Sequence, residues 1–139
     1  MLRFYILPLL VLISACVSEK NPSFTGTWFH ADQSGDSIGG RQIILEQSQD
    51  LTVLGEWSEG TSTGSGGSGK VRGRVHNNKL FLSYCSEGDI NWYRLCPEYT
   101  DSKSYFIRKN NRLFEYYQVA GSKEDLYKQG DVFKLIKRR

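Results

Sequence analysis

The sequence has 139 residues, 39% hydrophobic and 24% charged, with aromatics at 13% and 14 glycines. This suits one small globular domain and excludes a multidomain enzyme. Eighteen basic residues against 15 acidic ones leave a formal charge of +3, largely from Lys134, Lys137, Arg138 and Arg139, too weak and local to point to nucleic acid.

Residues 1–15 carry one basic residue, Arg3, then an apolar run over 4–13 and the small residues Ser14 and Ala15. This is the build of a secretory signal peptide; the run is too short, and too interrupted by Pro8, for a retained transmembrane helix. Ile13-Ser14-Ala15-Cys16 resembles the lipobox of bacterial lipoproteins. The resemblance implies cleavage before Cys16, diacylation of its thiol and acylation of the new amino terminus. Each buried methylene contributes about 0.8 kcal/mol, so two or three chains anchor durably. The alternative is an ordinary cleaved leader in which Cys16 is merely a small residue. Val17 stands where Asp, by family analogy, favours inner-membrane retention, so the expected location is the outer membrane facing the periplasm. Residues 16–23 then form a lipidated tether, and 24–139 the domain.

Short runs rich in β-branched and aromatic residues follow, separated by Gly, Asn, Asp or Ser clusters. They predict strands over 26–30, 41–47, 51–58, 70–76, 79–85, 103–109, 112–119 and 131–137, with an irregular ninth near 91–95. Only 122–129 has a helical look, with Ser122 as its cap. If Asn77-Asn78 is a two-residue loop, Val75 faces Leu80, Gly73 faces Leu82 and Val71 faces Tyr84. Lys70, Arg72, Arg74 and His76 then share the solvated face. A like loop at Asn110-Asn111 sets Ile107 against Phe114 and Tyr105 against Tyr116.

Such strands must close or stack, because open edges invite aggregation. The expected fold is all-β, a small antiparallel up-and-down barrel of about eight strands. Phe24-Thr25-Gly26-Thr27-Trp28 resembles the Gly-x-Trp opening of the calycin group, which includes the lipocalins. The resemblance implies a lipocalin-like barrel whose Trp28 sits at the closed end against a basic residue of the last strand, matched by Lys134. Residues 31–41 are short and polar where fatty-acid-binding proteins insert two helices, and no avidin biotin-contact set aligns.

With Cys16 occupied, Cys85 and Cys96 remain, an even pair that in an exported chain reads as a disulfide. A metal pair or free thiols are the alternatives, although two His and no third clustered thiol make a zinc site hard to assemble. The segment 85–96 carries Glu87, Asp89, Ile90, Trp92, Tyr93 and Arg94, and a staple between its ends argues for a loop. Trp92, Tyr93 and Arg94 are residue types that dominate binding hot spots. Equally, Trp92 and Tyr93 would serve to plug a barrel end.

Gly64-Ser65-Gly66-Gly67-Ser68-Gly69-Lys70 has phosphate-loop spacing, but Val71 stands where Ser or Thr would hold magnesium, so a flexible Gly/Ser hairpin loop is expected. A catalytic base would have to be His30 or His76, and no serine lies in a nucleophile elbow. His30 with Asp32 reads as two metal ligands, an acid/base pair or a solvated turn. Asp32 and Asp36 flank Gly35 faintly like a calcium loop, without the bidentate Glu. No enzymatic activity, metal, cofactor or nucleic-acid partner is therefore expected. The expected function is a membrane-anchored envelope lipoprotein whose barrel binds a small apolar or amphiphilic ligand, lined by Trp57, Tyr84, Tyr105 and Tyr116. The alternative is a protein-binding module, an assembly factor or hydrolase inhibitor, acting through the 85–96 loop.

Overall fold

The computed structural model describes residues 22–34, 37–88, 92–121 and 126–137. The leader, Cys16 and Asp36 lie outside them. Alternating side chains build one continuous wall from β1 (Gly26–Ser34), β2 (Ser37–Gln47), β3 (Thr52–Thr61), β4 (Gly66–His76), β5 (Lys79–Ser86), β6 (Thr100–Lys109), β7 (Arg112–Gln118) and β8 (Tyr127–Lys137). The strands pair antiparallel in chain order, and β8 returns to β1, closing the barrel. Among the described residues no sheet edge is left open, which removes the hazard of edge-to-edge pairing.

Both expected hairpins form in the expected register: Val75↔Leu80, Gly73↔Leu82, Val71↔Tyr84, and Ile107↔Phe114, Tyr105↔Tyr116. Asn77, Asn78 and Asn110 take φ of 48°, 60° and 54°, the left-handed backbone that Asn tolerates and a tight hairpin demands. Inward positions on the first hairpin are apolar or glycine, and Arg72, Arg74 and His76 are exposed on the other face. A one-residue slip would exchange the two faces, so burial itself enforces the register.

The core occupies the end where β1 begins. Phe24, Trp28, Leu45, Val53, Leu80, Phe106, Leu113 and Phe133 are buried there, each contributing about 1.5–3 kcal/mol. Phe24 closes this end: its N–H donates to Gln47 Oε1 at 2.9 Å, and its carbonyl accepts from Trp28 Nε1 at 2.9 Å. A guanidinium does cover the Trp28 ring, at 5.2 Å, but it belongs to Arg108 of β6. Lys134 is exposed and pairs with Phe29, because its pleat position on β8 points outward while Phe133 and Leu135 turn to the core.

Three local expectations are corrected. The Gly/Ser run is not a loop beyond its first residues, because β4 begins at Gly66 and pairs Gly66, Gly67, Ser68 and Gly69 with β3. Trp57 explains the glycine at 69: its Nε1 donates to the Cys85 carbonyl at 2.8 Å across this position, and a Cβ on Gly69 would stand 2.7 Å from Nε1 and 1.9 Å from Cys85 O. The segment expected to be helical instead supplies Tyr127, Lys128 and Gln129 to β8, paired with Gln118, Tyr117 and Tyr116; residues 122–125 lie outside the described set. Residues 92–95 add no ninth strand, only a single bridge from Leu95 to Ser86, and Asn91 is outside the described residues.

Candidate functional site: the polar mouth of the barrel

At the end opposite Trp28 the inward face changes character within one pleat step. His30 follows Trp28 on β1, Arg41 precedes Ile43 on β2, Glu115 follows Leu113 on β7 and Asp131 precedes Phe133 on β8. Period-2 alternation therefore delivers four polar side chains to the same interior level, directly above the apolar floor. Burying isolated charges there would be costly, and the residues offset that by pairing. Arg41 Nη1 lies 2.7 Å from Asp131 Oδ2 and 3.3 Å from Glu115 Oε2. His30 Nδ1 donates to the Val132 carbonyl at 3.0 Å, and its Nε2 stands 3.5 Å from Asp131 Oδ1. Burial alone would loosen the Arg41 proton, but the Glu115 and Asp131 charges outweigh it and hold the guanidinium above its ordinary range.

Beside this cluster the disulfide forms as expected, joining Cys85 near the end of β5 to Cys96, 11 positions further along the chain. Ser86 N–H donates to the Arg94 carbonyl and Cys96 N–H to the Ser86 carbonyl, at 2.8 and 2.9 Å, so the loop is bonded at its base as well as stapled. The three residues singled out on it do different things. Tyr93 turns inward, stacks on Tyr84 at 5.0 Å and meets Trp57 edge-on at 5.2 Å. Trp92 and Arg94 stay outside; Trp92 is 61% exposed. Arg94 makes a surface ion pair with Glu98 at 3.6 Å, which contributes little.

Of the four aromatics expected to line a ligand cavity, Trp57 and Tyr84 are interior, at 6% and 3% exposure, and Tyr93 caps them. Tyr105 and Tyr116 do not reach that space. They stack on each other at 5.2 Å on the outer wall, with Phe81 and Tyr127 alongside, because Phe106 and Leu113 hold the inward positions of their strands. The Tyr84 hydroxyl is buried with no hydrogen-bond partner among the described residues, and burial, then the neighbouring Tyr93 and Glu115, push its ionisation well above the ordinary range.

A cleft of about 410 Å³ opens at this mouth rather than in the barrel's depth. Asp32, Arg41, Glu59 and Trp92 line it, with the backbone of Gly39 and Gly60 as bare wall. Thus tips of β1, β2 and β3 and the stapled loop all contribute. His30 pairs with Asp131 rather than with Asp32, and among the described residues no three His, Cys, Asp or Glu are grouped to hold a metal ion. Arg41, Glu59, Glu115 and Asp131 carried no functional expectation from the sequence. Their signal was present all the same, as charged residues in phase with the buried positions of their strands. Comparison with protein families, curated proteins and solved structures finds no match to this chain.

Proposed function

We propose that the chain is a lipid-anchored envelope protein, held through Cys16 at the outer membrane and facing the periplasm, whose calycin-like barrel is a non-catalytic carrier of a small amphiphilic ligand. The observation that supports a carrier is the mouth cleft of about 410 Å³, within the range of small-molecule sites. The apolar half of the barrel is filled by Trp28, Phe106, Phe133 and their neighbours, so the ligand enters at the mouth and not along the barrel axis. Titrated below their micelle concentrations, at least one of octyl glucoside, octanoate and octyltrimethylammonium is expected to shift the Trp92 indole signal saturably, and no shift with any of the three overturns the carrier reading. Fatty-acid labelling of the parent and of Cys16→Ser tests the anchor separately; an unlabelled parent removes it.

A second reading, a protein-binding module, is favoured by the exposure of Trp92 and Leu95, at 61% and 55%, on a loop stapled at both ends. Aromatic anchors on rigid supports concentrate binding energy. A partner that co-purifies with the parent and is lost on Trp92→Ala, with folding intact, supports it; unchanged partners count against it.

A further inference from the structure

Among the described residues, charge at the mouth is not balanced. Arg41 is the cation of the cluster, and Asp131 and Glu115 occupy its Nη1 at 2.7 and 3.3 Å. Two further carboxylates, Asp32 and Glu59, line the cleft, and among the described residues neither has a Lys, Arg or His within ion-pairing distance. Among the described residues the mouth thus holds four carboxylates and one guanidinium, only two of the four being paired with it, and a positive charge on His30 would still leave the acids in excess. An anion entering here would have to share Arg41 with Glu115 and Asp131 while facing Asp32 and Glu59. A cation would meet the unpaired carboxylates Asp32 and Glu59 in a cleft that the exposed indole of Trp92 also lines. Aromatic faces attract cations, indole most strongly, and the attraction grows as water is excluded.

We propose that the ligand carries an organic cation, an alkylammonium head, seated among Asp32, Glu59 and the face of Trp92, with its apolar portion in the remainder of the cleft. This rests on the reading of the mouth as a ligand site. A bare metal ion fits less well, because the described residues offer no three-ligand group and the wall is partly indole and glycine. Arg41 is then a positioning residue: it neutralises Glu115 and Asp131 in the barrel and leaves the two rim carboxylates to the ligand.

The test compares octyltrimethylammonium, octanoate and octyl glucoside as monomers on the folded chain, read by calorimetry and by the Trp92 indole signal. The cation is expected to bind about tenfold or more tightly than octanoate. The Asp32→Asn/Glu59→Gln pair is expected to abolish that advantage, while Glu46→Gln, which removes a single charge on the outer wall, keeps it. A smaller preference than tenfold in the parent, or an advantage that survives the double variant, overturns the cation site. If octyl glucoside still binds in that case, the mouth remains a ligand site of other chemistry. If none of the three binds, both readings fail. Because the preference is read in the parent protein, the test does not depend on the variants folding.

Discussion

The ring of Tyr93 lies on that of Tyr84 with centroids 5.0 Å apart and planes 11° from parallel. One belongs to the stapled loop and the other to the inner face of β5, so the loop enters the barrel through this contact. Tyr93 thereby separates the apolar floor from the charged mouth, and leaves its neighbour Trp92 as a wall of the cleft. A single aromatic step in the chain divides the packed interior from the open cleft.

The staple holds that arrangement. Closing a loop of this length is worth roughly 3 kcal/mol in the chain-entropy model. Cys85→Ala/Cys96→Ala is expected to lower unfolding free energy by about 2–3 kcal/mol, measured by urea denaturation, with the strand signature in far-ultraviolet dichroism kept. The Trp57 bond to Cys85 uses the backbone carbonyl and persists. A variant as stable as the parent would show that the loop is fixed by its other bonds alone.

Removing Arg41 leaves two carboxylates without their cation. Glu115, 14% exposed, dominates the cost, while Asp131 at 37% is partly screened by water. Arg41→Met is expected to destabilise by about 2–3 kcal/mol. Adding Glu115→Gln should recover part of the loss, so the two changes should be non-additive in a double-mutant cycle. Strict additivity would mean that the pair contributes nothing.

Gly69 is one of the positions where the wall leaves no room for a side chain. A Cβ there meets Cys85 O at 1.9 Å and Trp57 Nε1 at 2.7 Å. Gly69→Ala is expected to cost about 3 kcal/mol, through strand displacement and loss of the Trp57 bond. Gly88→Ala, with nothing within 4 Å of its Cβ, serves as the control and should be near neutral. Equal melting temperatures for the two would refute the close approach.

The buried Tyr84 hydroxyl makes a pH-dependent prediction. Folding raises its pKa, mainly by burial, above the ordinary value of 10.0. The folded state therefore keeps a proton that the unfolded state loses, and stability falls as pH rises above that value, having been fully present below it. Tyr84→Phe removes both this slope and an unpartnered polar atom. It is expected to be stabilising by about 1 kcal/mol near neutral pH, and to flatten the alkaline decline in a series of denaturant midpoints. A loss of more than about 1 kcal/mol would show that the hydroxyl has a bonded role.

Much of the wall could be read from sequence because its signals were local. The Asn pairs at 77–78 and 110–111 set two hairpins, and alternation placed Val71, Val75, Leu80 and Leu82 inside. What escaped depended on how neighbouring strands meet. Nothing within 66–69 announces that Trp57 crosses it, so its glycines resemble a loop when they are clearance for a tightly coiled wall. Tyr105 and Tyr116 pair across the ladder as expected, but pairing does not say which face is inward; that choice belongs to Phe106 and Leu113. The mouth was hidden for another reason. Arg41, Glu115 and Asp131 are remote in sequence, and only closure of β8 on β1 brings the ring of strands together at one level.

That closure also fixes a direction. Thr27 pairs with Lys137, so the domain's entry and exit lie side by side at the Phe24 end, whereas the Thr61 turn and the stapled loop crown the other. Strands of 11 residues, inclined as barrel strands are, make a pedestal roughly 25–30 Å tall. Tethering the polypeptide by its first residues to any support would stand the cleft off at that height and aim it outward, with the footprint of the attachment kept clear of arriving molecules.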